Sequence, residues 1–338
     1  MPCSLCGGSA ETLNPRVAVY PPENHTADRL LEILTSLERP FGHQEYGALL
    51  FPTELIRRHN SRLVEELSTP QLTDTIAVDI TGDAPTPSEV RRTRSFGSLL
   101  DEIQGEWLVD LLNENGLYCL AQPIVDRDGS VFGHEMLMRG KGEGGAVITP
   151  YRMLRAASTP ELRAKLDRAA RIAAVHSGSG ISTESNVFIN FLPSSVYDPQ
   201  FCLETTFSAA RAAKIDPSRL VFEVVETDKI SDFDHLAAII ARYREEGFAI
   251  ALDDFGTGFN NIETVIRLRP EYIKLDKLLV TDSIHDKLKT QFIHDLASVA
   301  QMNGIKTIAE GIEDQETLDH VLNLGVDFFQ GYHLGRPG

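Results

Sequence analysis

The feature that most constrains this chain is a series of eight short apolar runs in its last two thirds. The runs occupy residues 117–125, 131–138, 187–191, 220–225, 249–252, 272–275, 307–312 and 326–329. Segments with helical spacing lie between most of them, at residues 160–176, 207–213, 232–246, 285–303 and 314–324. Eight strands that alternate with helices over about 220 residues predict an α/β fold of the TIM-like (β/α)8 barrel class.

The first two apolar runs are joined by a turn and not by a helix. The connection Asp126-Arg127-Asp128-Gly129 is typical of a β-hairpin. The first strand of the barrel is therefore expected to be antiparallel, which departs from the ideal topology.

Polar residues stand in or at the end of one apolar run after another. They are Glu135, Asn190, Glu223, Glu226, Asp253, Asp254, Lys274, Asp276, Glu310 and Gln330. Any one of them could simply begin a loop, but in a barrel the strand ends converge on one face, where barrel enzymes place their chemistry. So many polar strand ends together favour a site.

The charge of these residues predicts a metal. Seven carboxylates in one barrel mouth would repel by several kcal/mol unless cations or protons intervene. The donors are all oxygen atoms, and none of the ten histidines has a ligand spacing such as HExxH. Mg²⁺ or Mn²⁺ therefore fits better than zinc. The adjacent Asp253 and Asp254 can serve two ions, as two-metal phosphoester sites require.

Eight segments, in this order and spacing, resemble the EAL-domain family of cyclic di-GMP phosphodiesterases from about residue 115 to the end. They are Gln122-Pro123-Ile124-Val125, Glu135-Met136-Leu137-Met138-Arg139, Ile189-Asn190-Phe191, Glu223-Val224-Val225-Glu226, Asp253-Asp254-Phe255-Gly256-Thr257-Gly258, Lys274-Leu275-Asp276, Ala309-Glu310-Gly311-Ile312-Glu313 and Gln330-Gly331-Tyr332. The resemblance implies metal-dependent hydrolysis of cyclic di-GMP to linear 5′-pGpG.

The resemblance also implies roles for individual residues. The implied ligands of two Mg²⁺ or Mn²⁺ ions are Glu135, Asn190, Glu223, Asp253, Asp254 and Glu310, with Asp253 between the ions. Lys274 is implied as the catalytic lysine that holds the attacking water, and Glu310 as the group that orients or deprotonates it. The implied substrate contacts are Gln122, Leu137, Arg139, Asp276 and Gln330.

Other implications concern support and regulation. Glu226 corresponds to a family residue that anchors the loop after Asp254. Phe259-Asn260-Asn261 stands where the family prefers Tyr-Ser-Ser, in a loop that contributes to dimer-coupled activation. A homodimer is therefore expected, and this departure bears on its regulation. The alternative to an active enzyme is a catalytically silent receptor for cyclic di-GMP.

The amino-acid composition argues against some classes of binding partner. Lys and Arg number 32 against 49 Asp and Glu, a net charge of −17. Such a surface is unsuited to nucleic-acid polymers and to anionic membranes. No apolar run approaches the roughly 18 residues of a membrane span. Four cysteines are too few for a disulfide scaffold and favour a cytoplasmic protein.

The remaining sequence predicts a small α/β domain before the barrel. We divide the chain into an N-terminal unit (1–95), a connecting helix (96–114) and the barrel (115–338), because residues 1–114 contain nine Arg and no Lys. Strands are predicted at 17–20, 46–51 and 75–80, and helices at 27–37 and 53–67, the second capped by Thr53. By its position this unit is an input or dimerisation module that could bind a protein partner. Cys3 and Cys6 form a CxxC that suits zinc, redox chemistry or an inert terminus.

Overall fold

The computed structural model describes residues 13–35, 41–43, 48–225, 233–256 and 262–338. These residues cluster into two units. The N-terminal unit contains the described residues of Gly8–Asp110 together with Leu154–Leu162, and the barrel unit those of Leu111–Met153 and Arg163–Gly338. In the described part of the chain, no helix combines the length and the apolar character that crossing a membrane requires.

The N-terminal sequence folds into an antiparallel sheet with helices. Its elements are β1 (Arg16–Tyr20), α1 (Asn24–Thr35), β2 (Phe41–His43), β3 (Leu49–Pro52), α2 (Thr53–Glu66), α3 (Thr69–Asp74), β4 (Ile76–Ile80), α4 (Pro87–Val90), β5 (Arg94–Ser95) and α5 (Phe96–Asn113). The strand order is β2-β3-β1-β4-β5, and β1 is antiparallel to both β3 and β4. The order of strands and helices is the split βαβ arrangement of ferredoxin-like folds.

Alternating side chains of β1 build the core of this unit. Val17 and Val19 share one apolar cluster with Leu30 of α1 and Phe51 of β3, all almost completely buried. Residues 96–103 of α5 contribute four buried side chains to the same cluster. The first half of the helix that we predicted as a connection is therefore part of the N-terminal core.

The predicted cap of α2 is wrong. Pro52 occupies the N-cap position and makes no side-chain cap hydrogen bond, whereas Thr53 is the first helical residue. The Thr53 hydroxyl donates instead to the carbonyl oxygen of Asn14 at 2.6 Å. The Thr53 hydroxyl, which local sequence reasoning assigned to the N-terminus of α2, therefore forms a tertiary hydrogen bond instead.

Apart from Leu154–Leu162, which cluster with the N-terminal unit, the rest of the chain forms the barrel unit. Its further elements are β6 (Leu117–Val125), β7 (Val131–Lys141), β8 (Val147–Ile148), α6 (Pro150–Ala156), α7 (Pro160–Gly178), β9 (Asn186–Phe191), α8 (Pro199–Cys202), α9 (Glu204–Ala213), β10 (Leu220–Val224), α10 (Phe233–Glu245), β11 (Ala249–Phe255), α11 (Ile262–Leu268), β12 (Tyr272–Leu275), α12 (Lys277–Ser283), α13 (Lys287–Met302), β13 (Lys306–Ala309), α14 (Gln315–Asn323) and β14 (Phe328–Gln330). All eight predicted strands are present, and the predicted helices are α7, α9, α10, α13 and α14.

The eight predicted strands close into a barrel, as expected. Their order is β6-β14-β13-β12-β11-β10-β9-β7, and β7 pairs back with β6. Strand β6 is antiparallel to both of its neighbours, while the other pairs are parallel. The predicted antiparallel first strand is therefore confirmed. Strand β8 was not predicted, and it pairs with β7 at Gly140 and Lys141.

The barrel interior is filled by an apolar layer. Ile124, Phe188, Val221, Ala251 and Ile308 form a buried cluster with aromatic residues at its lower edge. The ring of Phe132 stacks on that of Phe328 at 3.8 Å, and the ring of Tyr272 lies 5.4 Å from that of Phe188. Outward-facing residues such as Val187, Phe222 and Leu252 pack with the helices in a separate core. Because strand side chains alternate, the next inward position on each strand lies two residues away.

A buried carboxylate shapes the loop that follows β4. Glu89 accepts hydrogen bonds from the backbone N–H and hydroxyl of Thr81, at 2.8 and 2.9 Å. It also accepts from the backbone N–H and hydroxyl of Thr86, both at 2.8 Å. These bonds, first those from Thr86, lower the pKa of Glu89 from 4.5 to about 2.

We predict that Glu89→Gln destabilises the N-terminal unit in a pH-dependent way. The folded pKa lies below the unfolded one, so the stabilisation is complete above pH 4.5 and is lost as the pH falls towards about 2. The difference in thermal midpoint between wild type and variant should shrink over that range. Fluorescence of Trp107 in α5, the single tryptophan, reports on this unit.

Glu54→Gln is the matched control, because the Glu54 carboxylate is 65% exposed and pairs with Arg57 on the same helix. That substitution should change the midpoint little. A difference between wild type and Glu89→Gln that stays constant with pH would contradict the prediction.

Candidate active site

A layer of polar side chains lies directly above the apolar layer, at the end of the barrel where the parallel strands finish. We call it the acidic layer; it consists of Gln122, Glu135, Asn190, Glu223, Asp253, Lys274, Glu310 and Gln330. Period-two alternation explains it, since Glu223 is two residues beyond Val221 and Asp253 two beyond Ala251. The sequence predicted that these strand ends converge, and the structure brings them together.

Lys274 is the centre of this layer. Its Nζ lies 2.7 Å from Glu310 Oε1, 3.0 Å from Glu223 Oε1, 3.2 Å from Asp253 Oδ1 and 3.4 Å from Glu135 Oε2. Burial opposes its charge, but the four carboxylates outweigh burial and raise the pKa of Lys274 well above its ordinary value. The surrounding carboxylates therefore favour the charged form of Lys274, which can donate hydrogen bonds to them.

Glu135 is held by amide groups on both sides. Asn190 Nδ2 donates to Glu135 Oε1 at 2.8 Å, and Gln330 Nε2 donates to Glu135 Oε2 at 2.7 Å. Burial opposes ionisation of Glu135, but Lys274 and these two hydrogen bonds outweigh it, so the pKa of Glu135 lies below its ordinary value. Gln330 Nε2 also lies 3.3 Å from Gln122 Oε1, which links β14 to β6.

Two other carboxylates lack such support. Burial and the neighbouring carboxylates raise the pKa of Glu223 well above its ordinary value, despite the charge of Lys274. Burial in the same way raises the pKa of Glu310 to about 8. One lysine cannot stabilise four ionised carboxylates, and the site therefore calls for additional positive charge.

The adjacent carboxylates Asp253 and Asp254 reach the same mouth through a break in β11. Neighbouring strand residues normally face opposite sides. Here the pairing with β12 shifts register between Leu252 and Phe255, and Asp254 adopts a left-handed φ of 51°. Oxygen atoms of Asp253, Asp254 and Glu310 consequently lie within 4.8 Å of one another. At that distance two carboxylates repel by about 3 kcal/mol for an effective dielectric constant near 20.

The donor set fits a hard divalent cation. It offers oxygen atoms and a cation-deficient, buried setting, which suits Mg²⁺ or Mn²⁺. Oε2 of Glu223 is buried and accepts no hydrogen bond from the described residues, so a ligand position is open there. The chemistry of the residues thus agrees with the predicted metal.

A cavity of about 250 Å³ opens beside the acidic layer. It is lined by Gln122, Glu135, Lys277, Glu310, Gly311, Glu313, Gln330, Gly331 and Tyr332. Gly331 allows the wall to close, because a Cβ there would lie 2.0 Å from the carbonyl oxygen of Ile312. Lys277 forms an ion pair with Glu313 on this wall. No role was predicted for Lys277, Glu313 or Tyr332, although Glu313 and Tyr332 belong to segments that carry the resemblance.

The remaining predicted residues have other surroundings. Asp276 caps α12, and its carboxylate accepts from the backbone N–H of Leu278 at 2.7 Å. Arg139 Nη1 donates to the neighbouring carbonyl of Met138 at 2.8 Å, and Leu137 is half-buried on the same strand. Several predictions lie outside the described residues: Cys3, Cys6, Glu226 and Phe259-Asn260-Asn261.

The fold and the acidic layer define a barrel protein with an oxygen-donor site for divalent cations. A model of the EAL domain matches residues 106–337, well over half of the chain. The chain belongs to the EAL-domain family.

Curated relatives agree with this assignment. Cyclic di-GMP phosphodiesterase PdeF of Escherichia coli K12 is 28% identical over 233 residues, which cover 68% of this chain and 31% of that protein. Probable cyclic di-GMP phosphodiesterase PdeG of the same organism is 29% identical over 234 residues, covering 67% of this chain and 45% of that one. This chain thus spans less than half of the length of these two relatives.

Solved structures show the same fold. A standalone EAL protein from Vibrio cholerae O395, with c-di-GMP bound, has a TM-score of 0.60 and 27% identity, and covers 66% of this chain and 92% of that one. Klebsiella pneumoniae BlrP1, a complex with manganese and cy-diGMP, has a TM-score of 0.59 and 22% identity. That similarity covers 95% of this chain and 96% of BlrP1, so it includes the N-terminal unit.

We predict that Lys274→Met makes the stability of the barrel depend on divalent metal. Removing one partner of a buried charge cluster leaves uncompensated charges and costs about 3–5 kcal/mol. With excess EDTA the thermal midpoint of the variant should fall well below that of wild type. Mn²⁺ should restore most of the loss, because the added cations compensate the same carboxylates. Far-UV circular dichroism measures both midpoints.

Lys306→Met is the matched control. Lys306 pairs with Asp327 at 2.8 Å near the start of β13 and is half exposed. Its loss should be below about 1 kcal/mol and independent of Mn²⁺. The assignment of Lys274 as the central cation of the acidic layer would be contradicted if both variants lost the same stability. It would also be contradicted if Mn²⁺ did not change the thermal midpoint of Lys274→Met.

Proposed function

We propose that this protein hydrolyses cyclic di-GMP to linear 5′-pGpG in a reaction that requires two divalent cations. The observation that carries the proposal is the Lys274 ammonium, which contacts four carboxylates at the end of the barrel strands. Membership of the EAL-domain family and the names of the relatives support the substrate.

The metal ligands in this proposal come from five barrel strands or their ends, which are β7, β9, β10, β11 and β13. The ligands are Glu135, Asn190, Glu223, Asp253, Asp254 and Glu310, and Asp253 would contribute to holding both ions. When bound, Mg²⁺ or Mn²⁺ neutralises phosphate charge and lowers the pKa of a coordinated water. Asp254 and Glu310 would hold the second ion, and the proximity of their oxygen atoms to Asp253 supports this assignment.

Lys274 and Glu310 have complementary roles. The ammonium is a fixed donor that orients the attacking water and offsets the negative charge that develops on the phosphate. Glu310 Oε1 lies 2.7 Å from Lys274 Nζ, so a water that contacts one group is within reach of the other. In this proposal Glu310 orients that water or accepts its proton.

The proposed substrate contacts are residues that lie around the mouth of the barrel. Gln122 and Gln330 line the cavity beside Glu135, and Leu137 and Arg139 continue along β7. Arg139 provides a forked donor for one phosphate. Asp276 completes the proposed set at the start of α12, where its carboxylate already supports the helix.

We also propose a larger organisation for the chain. The N-terminal unit, which takes in residues 96–103 of the predicted connection (96–114) as well as the predicted unit 1–95, regulates the barrel or binds a protein partner, and residues 115–338 form the catalytic domain. A homodimer would use the exposed stripe of α13, which carries Leu288, Phe292, Val299 and Met302. The low cysteine content supports a cytoplasmic location as part of this proposal.

A turnover assay tests the catalytic proposal. Purified protein with Mg²⁺ or Mn²⁺ should convert cyclic di-GMP to 5′-pGpG, and EDTA should stop the reaction. Glu135→Ala should reduce turnover by at least about 100-fold, since losing even an outer-shell partner of a metal costs about 10- to 100-fold. Glu316→Ala, at an exposed position of α14, is the control and should retain activity.

Two results would redirect the proposal. Binding of cyclic di-GMP without product would support the silent receptor. Product formed equally by wild type and Glu135→Ala would show that another site or a contaminant is responsible.

Regulation by the N-terminal unit has its own test. The fragment 111–338 should differ from the full chain in turnover or in oligomeric state. The cut is placed after Asp110 because Phe96, Leu99, Leu100 and Ile103 belong to the N-terminal core and would otherwise be exposed. Identical turnover and an identical oligomeric state of the fragment and the full chain would remove the regulatory role.

A further inference from the structure

A buried ion pair outside the acidic layer lies beside the end of β9. Asp167 and Arg171 are one turn apart on α7 and are 5% and 1% exposed. Arg171 Nε donates to Asp167 Oδ2 at 3.0 Å. Arg171 Nη1 donates to the hydroxyl of Thr206 on α9. The pair thus connects two helices that flank β9.

Stability alone gives little reason for this pair. Two buried charges lose hydration that their mutual attraction offsets only in part, and apolar residues of similar volume often serve stability as well. The pair is more informative for what it fixes in place. Arg171 Nε binds one carboxylate oxygen of Asp167, Oδ2, and the other oxygen, Oδ1, accepts a hydrogen bond from the backbone.

That acceptor holds the chain where β9 ends. The backbone N–H of Leu192 donates to Asp167 Oδ1 at 2.8 Å. Leu192 follows the last residue of β9 and is buried, so its N–H needs a partner that the strand ladder no longer supplies. A carboxylate is the stronger acceptor for such a group. Arg171 in turn orients the carboxylate through its hydrogen bond to Oδ2, and its charge opposes the burial that raises the pKa of Asp167.

Asn190 lies two residues before this anchor. It is the one neutral member of the proposed ligand set, and its amide donates to Glu135 at 2.8 Å. A carboxylate is drawn to a cation by its charge, whereas an amide depends on being held in the correct place. The position of Asn190 therefore depends most on how the strand end is supported.

We propose that Asp167 and Arg171 are positioning residues, which fix the end of β9 and thereby hold the Asn190 amide in place for the metal site. The effect on metal rests on the proposed function, because it takes Asn190 as a ligand. The effect on the strand end does not. The pair touches neither substrate nor metal and acts only through the backbone of residues 190–192.

Titration calorimetry with Mn²⁺ alone, on the full chain, tests the proposal. Asp167→Asn should weaken Mn²⁺ binding by about 3- to 10-fold, at the lower end of the losses seen for outer-shell changes. Asp327→Asn is the matched control. Asp327 also accepts a backbone N–H, from Thr307 at 3.0 Å, but at the start of β13 and thus at the opposite end of the barrel strands. Its Mn²⁺ affinity should stay within about twofold of wild type.

Hydrogen exchange of residues 186–192, measured without metal, is the second readout. Asp167→Asn should accelerate exchange in this segment, and Asp327→Asn should not. If Asp167→Asn does not fold, Arg171→Lys keeps the charge but loses the planar fork and should shift both readouts in the same direction.

The outcomes separate the two proposals. The positioning role would be overturned if Asp167→Asn and Asp327→Asn bound Mn²⁺ with the same affinity and hydrogen exchange of residues 186–192 were unchanged. A folded Arg171→Lys that behaves as wild type in both readouts would do the same. If wild type binds no Mn²⁺, the proposed function fails, and the exchange rates still decide whether the pair fixes the strand end.

Discussion

The acidic layer depends on one buried cation, the Lys274 ammonium. Its strand, β12, lies between β11 and β13, so Asp253 and Glu310 are its immediate neighbours, at 3.2 and 2.7 Å. Glu135 and Glu223 reach the same atom from other strands of the barrel. Without this charge the inward carboxylates would have to protonate or move apart. The lysine and the alternation of the strands therefore determine the site together.

The aromatic rings beneath the acidic layer strengthen the ion pairs of Lys274. Phe132, Phe188, Tyr272 and Phe328 fill the barrel with rings whose centroids lie 3.8 to 6.3 Å apart. Packed rings keep water out of the barrel interior below the carboxylates. Charges interact more strongly where water is excluded, so the same packing that stabilises the barrel strengthens every ion pair of Lys274.

The sequence predicted the barrel well because each strand is an apolar run and the polar residues stand at a fixed step beyond it. It missed α11 and α12, whose seven residues each are too short for a clear helical period. Thr53 was misassigned because its hydroxyl has a tertiary partner that no local pattern reveals. The joint location of Glu135, Asp253 and Lys274 was predictable, since parallel strands end on one face. The role of Gly331 was not, because the close approach of Ile312 comes from a different segment of the chain.

Asp254 shows how the site and the backbone constrain each other. A left-handed conformation costs a non-glycine residue about 1–2 kcal/mol, and glycine would relieve that cost. Glycine would also remove a carboxylate from the group that Asp254 forms with Asp253 and Glu310. The irregular pairing of β11 with β12 is what turns this carboxylate towards the mouth, since a regular strand would direct it to the helices. The strain at Asp254 is therefore best explained as the structural cost of placing two adjacent carboxylates in one site.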